Sequence, residues 1–320
     1  MERSPRVVLG TRGSPLALWQ ARHVARGLAA IHPEIVVEER IVRTDGDGDP
    51  SPPSASSRWS VGVFVRRLEE ALRDGAIDVA VHSLKDVPTE MPADLVLPAV
   101  LERHDPRDAL VTRSGAGLGA LEPATVVGTG SLRRRAQLLR ARPDLRTRPV
   151  RGNVDTRIRR LLDGDYGALV LAVAGIERLG LAAAPWVALP IEVCLPAVGQ
   201  GAIAVETRGA DARTIDLVHG LDHCPTHSAV LAERAFLDRL GGGCLAPAAA
   251  HAVLDENELR LRAFAGDADG TEAVYDEERG AVDDPASLGR RLAERMLAAG
   301  AARLLARARA SEPSPGIDGP

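Results

Sequence analysis

The segment VHSLKDVP, residues 81–88, places a cation and a carboxylate side by side at Lys85 and Asp86. Lys85 is the only lysine among the 40 lysine and arginine residues of the chain. A fixed carboxylate can act as a general acid or base, or stabilise a developing positive charge. The same pair is also typical of a surface loop with an ordinary salt bridge, which contributes little. Spacing alone leaves both interpretations open.

A second candidate is Cys244, which directly follows three glycines, Gly241 to Gly243. A free cysteine is more often a small buried hydrophobic residue than a nucleophile. Glycines give the backbone unusual freedom and let another group approach closely. The run therefore favours a loop that carries a reactive or derivatised thiol.

The third candidate is the segment HCPTH, residues 223–227, which could be a metal cluster or a Cys/His nucleophile. Zinc needs at least three protein ligands, and neighbouring side chains tend to point apart. We therefore expect no metal site, and we predict a turn followed by a helix with Thr226 as its N-cap.

Charge is concentrated in residues 131–160, which hold eleven arginines against Asp144 and Asp155 in a protein of net charge −4. A local positive field in an acidic protein suggests an anionic ligand. Arginine suits carboxylates and phosphates equally, so charge alone does not choose between them. Nucleic acid is a weaker interpretation because an aromatic content of 2% leaves few rings on which bases could stack. A solvated helix face is the plain structural alternative.

Strands and helices alternate along the first two thirds of the chain, which indicates βαβ units and a mainly parallel sheet. Residues 6–10 predict a strand, followed by a helix with Ser14 as its N-cap and Pro15 in its first turn. The segment at 125–143 repeats this design with Ser131 as the cap. Ligands of such sheets lie beyond the carboxyl ends of the strands. We therefore expect the candidate residues near Arg12, Lys85 and Ser131 to border one crevice.

Composition fits an ordinary globular protein of two or three domains. The three cysteines contain no CxxC pair, which argues against a disulfide framework. The N-terminus lacks the apolar region of a signal peptide, and no apolar run is long enough to span a membrane, so we expect a cytoplasmic protein. Residues 43–60 predict a long loop, and residues 311–320 a disordered tail.

The motifs together resemble the porphobilinogen deaminase family over nearly the whole length of the chain. The matching stretches include TRGSPLALWQA, DVAVHSLKDVPTEMP, RHDPRDAL, VGTGSLRRRAQL, RGNVDTR, LAVAGIERLGL, LPAVGQGAIAVE and AERAFLDRLGGGC. The resemblance implies a hydroxymethylbilane synthase, a transferase of tetrapyrrole biosynthesis. Such an enzyme condenses four porphobilinogen molecules, releasing ammonia at each step.

The resemblance also implies two periplasmic-binding-protein-like α/β domains with a cleft between them and a small α+β C-terminal domain. We place domain 1 at residues 1–101 and 200–220, domain 2 at 102–199, and domain 3 at 221–310. Domain 3 then carries the cysteine loop.

The resemblance assigns a role to each candidate. Asp86 is the catalytic carboxylate, and a dipyrromethane cofactor is attached through Cys244. The groups that bind the cofactor are Lys85, Thr129, Ser131, Arg133 and Arg134. The groups that bind the substrate are Arg12, Ser14, Arg151, Arg157, Arg178 and Gln200. No metal, nucleic acid or membrane takes part, and the protein is expected to be a monomer.

Several positions depart from the family pattern, among them Val61, Gly130, Asp155 and Leu245 with the alanines that follow it. They motivate an alternative, a non-catalytic or weakly active paralogue that binds a small carboxylate. A covalently attached cofactor would distinguish the enzyme from such a binding protein.

Overall fold

The computed structural model describes residues 6–42, 62–241 and 246–310. The predicted loop at 43–60, Val61, Cys244, Leu245 and the tail at 311–320 lie outside these residues. The described residues fall into two compact units. One lies within Met1–His104 and Gly201–His227, and the other within Asp105–Gln200 and Ser228–Pro320.

Unit 1 is built on a five-stranded sheet in the order β2-β1-β3-β10-β4. Its strands are β1 (Arg6–Thr11), β2 (Val36–Ile41), β3 (Val79–Ser83), β4 (Leu95–Val100) and β10 (Ile203–Arg208). Its helices are α1 (Pro15–Ile31), α2 (Gly62–Arg73) and α6 (Ala212–His219). Strand β1 is parallel to β2 and β3, whereas β10 is antiparallel to β3 and β4.

Unit 2 contains a second five-stranded sheet of related design, in the order β7-β6-β8-β5-β9. Its strands are β5 (Asp108–Thr112), β6 (Val126–Gly128), β7 (Arg146–Arg148), β8 (Ala168–Ala172) and β9 (Trp186–Ala188). Its helices are α3 (Leu132–Ala141), α4 (Val154–Leu162) and α5 (Val173–Arg178). Strand β6 is parallel to β7 and β8, and β5 runs antiparallel to β8 and β9.

The rest of unit 2 is a three-stranded antiparallel sheet in the order β11-β12-β13 with helices packed against it. The strands are β11 (Ala248–Asp255), β12 (Glu258–Gly266) and β13 (Ala273–Ala281). The helices are α7 (Cys224–Leu240), which begins in unit 1, α8 (Pro285–Met296) and α9 (Ala302–Ala310). Phe236 of α7 and Leu292 of α8 are fully buried in the core of this small domain.

The three sheets confirm the expected fold class of two α/β domains and a small α+β domain. The predicted domain boundaries stay a prediction. None of the helices among the described residues is both long and apolar enough to cross a membrane.

Both predicted helix caps are present. The Oγ atom of Ser14 accepts a hydrogen bond from the Ala17 amide at 3.3 Å, and the Oγ atom of Ser131 accepts one from the Arg134 amide at 3.4 Å. Each cap satisfies an amide that the first turn leaves without an intrahelical partner.

The cap predicted at Thr226 is wrong. Helix α7 begins at Cys224, so Thr226 lies inside its first turn. Its Oγ1 atom accepts a hydrogen bond from the Arg103 amide at 3.1 Å and lies 2.8 Å from Nδ1 of His223. This hydroxyl therefore ties the helix to the preceding segment instead of capping it.

Candidate functional site

The edge of the unit 1 sheet where β1 and β3 end carries four of the predicted residues. Because β1 and β3 are adjacent and parallel, their carboxyl ends meet at the same edge. Arg12 and Ser14 follow β1, and Lys85 and Asp86 follow β3. All four side chains are half-buried.

Asp86 lies in a single 3₁₀ turn, Leu84–Asp86, held at both ends. The amide of Leu84 donates to the Ala202 carbonyl at 3.1 Å, and the amide of Val87 donates back to the Leu84 carbonyl at 3.0 Å. Leu84 and Val87 are buried, so the turn is anchored by two apolar side chains. The anchors leave Lys85 and Asp86 between them with partial access to solvent.

A buried amide connects this turn with helix α1. The side chain of Gln20, on α1, hydrogen-bonds the Oγ atom of Ser83 at 2.8 Å, and Ser83 immediately precedes the turn. Gln20 is buried, so this contact fixes α1 relative to the end of β3. Helix α1 begins after Ser14, and the contact therefore links the two chain segments that bear the candidates.

The corresponding edge in unit 2 carries the predicted hydroxyl groups and arginines. Thr129 and Ser131 follow β6, Arg151 follows β7, and Arg178 ends the helix that follows β8. Because β6, β7 and β8 are parallel neighbours, these segments share one edge of the sheet. Thr129 is buried, and its Oγ1 atom accepts a hydrogen bond from the Ser131 amide at 3.2 Å.

The two adjacent arginines of α3 are buried around one carboxylate. Nη1 of Arg133 donates to Oδ2 of Asp108 at 2.7 Å and to the Leu195 carbonyl at 2.7 Å. Arg134 donates to Oδ1 of Asp108 through Nη2 at 2.6 Å and Nε at 3.0 Å, and to the Val170 carbonyl at 2.9 Å. Both guanidinium groups are thus held in fixed orientations.

Gln200 completes this cluster. Its Nε2 atom donates to Oδ1 of Asp108 at 2.9 Å and to the Pro106 carbonyl at 2.6 Å. Its buried Oε1 atom has no hydrogen-bond partner among the described residues. The Oε1 atom of Gln200 is therefore available to accept a hydrogen bond from an N–H group of a ligand.

The charge balance sets the ionisation of Asp108. Burial raises the pKa of this carboxyl, but the positive charges of Arg133 and Arg134 outweigh burial and hold the pKa well below its usual value. Asp108 is therefore an anion, and together with the two arginines it leaves one positive charge unbalanced.

The remaining predicted arginines differ in exposure. Arg151 is exposed, whereas Arg157 is half-buried and donates from Nε to the Gly152 carbonyl at 2.7 Å. Gly152 has a φ of +103°, a conformation that glycine adopts without a steric penalty. Arg178 is buried, and burial lowers its pKa to about 10.

Several arginines of the charged window have structural partners, so part of its positive charge is balanced within the protein. Arg133 and Arg134 pair with Asp108. Others pair with carboxylates at the surface, namely Arg135 with Asp269, Arg142 with Asp144 and Arg160 with Asp165. The field available to an anion is therefore smaller than the sequence suggests.

The cysteines of the described chain differ in their environments. Cys194 is buried, and burial together with the nearby Asp108 carboxylate raises the pKa of its thiol to about 12, which makes it a poor nucleophile. Cys224 is exposed at the start of α7. Among residues 6–42, 62–241 and 246–310, no group of three or more His, Cys, Asp or Glu side chains could hold a metal ion.

Asp108 is the functional candidate that sequence reasoning missed. It lies in the motif RHDPRDAL, and a signal was present, because an aspartate opens a buried strand whose other residues are uncharged. Its partners lie 25 and 26 residues further along the chain, so its role depends on tertiary contacts.

Two solved structures with some likeness to this chain are an effector-binding domain and a solute receptor. The effector-binding domain of BenM with benzoate is 12% identical at a TM-score of 0.41, covering 68% of this chain and 91% of that chain. The L-cystine solute receptor of Neisseria gonorrhoeae is 13% identical at a TM-score of 0.39, covering 72% and 91%. Because these scores lie below 0.5, the likeness carries no conclusion about the chain.

Two family models match the sequence. The dipyromethane cofactor-binding domain of porphobilinogen deaminase matches residues 7–216, and the C-terminal domain of porphobilinogen deaminase matches residues 227–298. Together they cover both five-stranded sheets and most of the small domain. The chain therefore belongs to the porphobilinogen deaminase family.

Proposed function

We propose that the chain is a hydroxymethylbilane synthase in which Asp86 is the catalytic carboxylate. The enzyme condenses four porphobilinogen molecules and releases ammonia at each step. The observation that carries the assignment is the match of both family domains over most of the chain. The anchored turn at Leu84–Asp86 supports the choice of Asp86, since it holds a half-buried carboxylate in place.

Asp86 acts on the pyrrole ring of the substrate. Loss of ammonia leaves positive charge on the pyrrole, and a carboxylate that accepts a hydrogen bond from the pyrrole N–H offsets this charge. The same carboxylate then helps to remove the proton from the carbon at which the new bond forms.

The residues at the unit 2 edge fit a dipyrromethane cofactor. Its carboxylates need cationic and hydroxyl donors, which Arg133, Arg134 and Ser131 provide. Its pyrrole N–H groups need acceptors, and the buried Oε1 atom of Gln200 is one. When bound, the cofactor supplies the pyrrole carbon to which the first substrate is joined.

The other predicted roles form part of this proposal. Cys244 holds the cofactor through a thioether, and Lys85 and Thr129 donate to its carboxylates. The remaining groups bind the substrate. Its carboxylates contact Arg12, Ser14, Arg151, Arg157 and Arg178, and Gln200 accepts a hydrogen bond from a pyrrole N–H of the growing chain. We further propose a cytoplasmic monomer that binds no nucleic acid.

Replacing Asp86 with Asn tests the catalytic assignment. We expect kcat to fall by at least about 10²-fold, while the protein stays folded, because an amide cannot take the proton or balance the charge. Glu90→Gln is the matched control, since Glu90 is an exposed acid four residues away and should keep full activity. Full activity of Asp86→Asn would contradict the assignment.

Intact mass tests cofactor attachment and separates the enzyme from a carboxylate-binding paralogue. Protein from cells that make porphobilinogen should exceed its sequence mass by one dipyrromethane. Cys244→Ser should lose this increment. The buried Cys194→Ser and the exposed Cys224→Ser should both retain it. A wild-type mass equal to the bare chain would favour the paralogue.

A further inference from the structure

Asp108 is a fully buried carboxylate at the ligand edge of the unit 2 sheet. It opens β5 and pairs with Ala172, the last residue of the antiparallel strand β8. The carboxyl end of β8 lies at the edge where Thr129 and Ser131 leave the parallel strand β6. Asp108 therefore lies at the same edge as the proposed cofactor-binding groups, although its own side chain is closed to solvent.

Three proposed ligand-binding side chains converge on this one carboxylate. Arg133 binds Oδ2, and Arg134 and Gln200 bind Oδ1, all at 2.6 to 3.0 Å. The thiol of Cys194 donates to Oδ2 at 3.3 Å. Both carboxylate oxygens of Asp108 thus accept hydrogen bonds from nitrogen donors. These bonds leave the planar guanidinium groups little freedom to rotate.

The hydrogen bonds also fix which atoms remain for a ligand. Arg133 and Arg134 use their donors on Asp108 and on backbone carbonyls, so the direction of each guanidinium plane is set before any anion binds. The Gln200 amide donates through Nε2, which leaves its Oε1 atom as the free acceptor. One carboxylate thus orders two cations and one acceptor.

The charge of the cluster favours an anion. Two buried guanidinium groups without a counter-charge would be costly, and Asp108 offsets one of their charges. One positive charge remains for a ligand carboxylate. A second buried acid would cancel it, and no buried acid other than Asp108 contacts either guanidinium among the described residues.

We propose that Asp108 is a positioning residue, which orients Arg133, Arg134 and Gln200 to bind the carboxylates and pyrrole N–H groups of the cofactor and growing chain. The proposal rests on the function proposed above. Asp108 touches neither cofactor nor substrate and acts through the three side chains that do.

The test compares Asp108→Asn with wild type by intact mass and steady-state kinetics. Asparagine keeps the size of the side chain and loses its charge. We expect the fraction of chains that carry dipyrromethane to fall several-fold. In the loaded fraction, KM for porphobilinogen should rise about tenfold while kcat changes little, because binding and not chemistry is impaired. Asp108→Glu keeps the charge and should restore most of the loading.

Leu110→Ala is the matched control for a merely structural role. Leu110 lies on the same strand and is fully buried. This variant should lower the melting temperature and leave loading and KM as in wild type. If Asp108→Asn behaves in the same way, the positioning role is overturned. If Asp108→Asn does not fold, Asp108→Glu decides: this variant keeps the carboxylate and should keep most of the loading, and a folded Asp108→Glu protein that carries no dipyrromethane overturns the proposal.

Failure of the proposed function gives a different result. A wild-type protein with no mass increment and no hydroxymethylbilane product overturns both proposals. A loaded and active wild type with an equally loaded Asp108→Asn variant of unchanged KM overturns only the role of Asp108.

Discussion

The guanidinium of Arg178 is buried at the end of α5, and burial lowers its pKa from the ordinary value to about 10. The lowered pKa means that burial disfavours the charged form of this side chain. A cost of this kind is expected where a charge serves binding and not stability.

Arg178→Met should therefore separate binding from stability. We expect a melting temperature close to that of wild type, because methionine keeps an apolar stem at this buried position. KM for porphobilinogen should rise about tenfold or more, because one donor to a carboxylate is lost. Calorimetry and steady-state kinetics measure the two effects. A lower melting temperature with unchanged KM would show that Arg178 is structural.

The ionisation of Asp108 predicts a pH-dependent contribution to stability. Its folded-state pKa lies below the ordinary value of 3.8, since Arg133 and Arg134 outweigh the opposing effect of burial. Its charge therefore stabilises the fold fully above about pH 5, and this contribution is lost as the pH falls below the unfolded value towards the folded one.

The comparison of wild type with Asp108→Asn measures this contribution. We expect the difference in unfolding free energy to be constant between about pH 7 and pH 5 and to shrink below about pH 4. Urea unfolding at each pH gives the difference. A gap that widens in acid would mean that Asp108 is protonated in the folded protein.

Among the secondary-structure elements, helix α3 contacts two different parts of unit 2. One face carries Arg133 and Arg134 towards Asp108, and another face packs against the C-terminal domain. Arg135 pairs with Asp269 at 2.5 Å, between β12 and β13. Gly270 follows with a φ of +72°. The backbone of this loop therefore lies directly against the helix that bears the proposed cofactor-binding arginines.

Gly270→Ala should push the loop away from α3. A Cβ atom at Gly270 would lie 2.3 Å from the Ala136 carbonyl oxygen and 2.6 Å from the Arg140 amide, and backbone atoms cannot move aside cheaply. We expect a loss of about 2–4 kcal/mol in stability, from the left-handed φ and the overlap together. Loading with dipyrromethane should fall as α3 shifts.

Gly180→Ala is the control for the cost in stability of the positive φ alone, without a steric overlap. Gly180 also has a positive φ, +60°, but nothing lies within 4 Å of an added Cβ. Its cost should be about 1 kcal/mol, with normal loading by intact mass. Equal effects of the two substitutions would mean that contact with α3 is unimportant.

Elements with local signals were predictable, and those defined by distant contacts were not. The serine caps at Ser14 and Ser131 are read from residues within one turn. Alternation of strands and helices predicts a parallel sheet, but β5 and β10 are antiparallel, and β10 pairs with β3 across more than a hundred residues. The cap at Thr226 failed because that hydroxyl binds Arg103 instead.

The candidate site likewise has features that the sequence predicts and features that depend on distant contacts. Family motifs predict Asp86 and the arginines one by one, and the sheet edges group them within each unit. The sequence could not show that three arginines of the charged window, Arg133 to Arg135, pair with carboxylates, since their partners Asp108 and Asp269 lie far away in the chain. Nor could it show that the pairs with Arg133 and Arg134 lower the pKa of Asp108.

At the scale of the whole molecule, net charge and local charge have opposite signs. The chain carries −4 overall, so a dianionic substrate gains attraction only near the arginines that remain accessible. Attraction between charges in water weakens as salt shortens the Debye length from about 10 Å at 0.1 M to about 3 Å at 1 M. Binding of porphobilinogen should therefore be more sensitive to salt than the chemical steps.

We expect KM for porphobilinogen to rise at least about threefold between roughly 0.05 M and 0.5 M NaCl, with kcat nearly constant. Arg151→Gln should raise KM at low salt and flatten this dependence, because Arg151 is an exposed cation at the ligand edge. Arg303→Gln is the control, since Arg303 is equally a surface arginine but pairs with Glu272 in the C-terminal domain. It should leave the salt dependence unchanged. Identical behaviour of both variants would mean that overall charge, and not the edge of the unit 2 sheet, governs substrate binding.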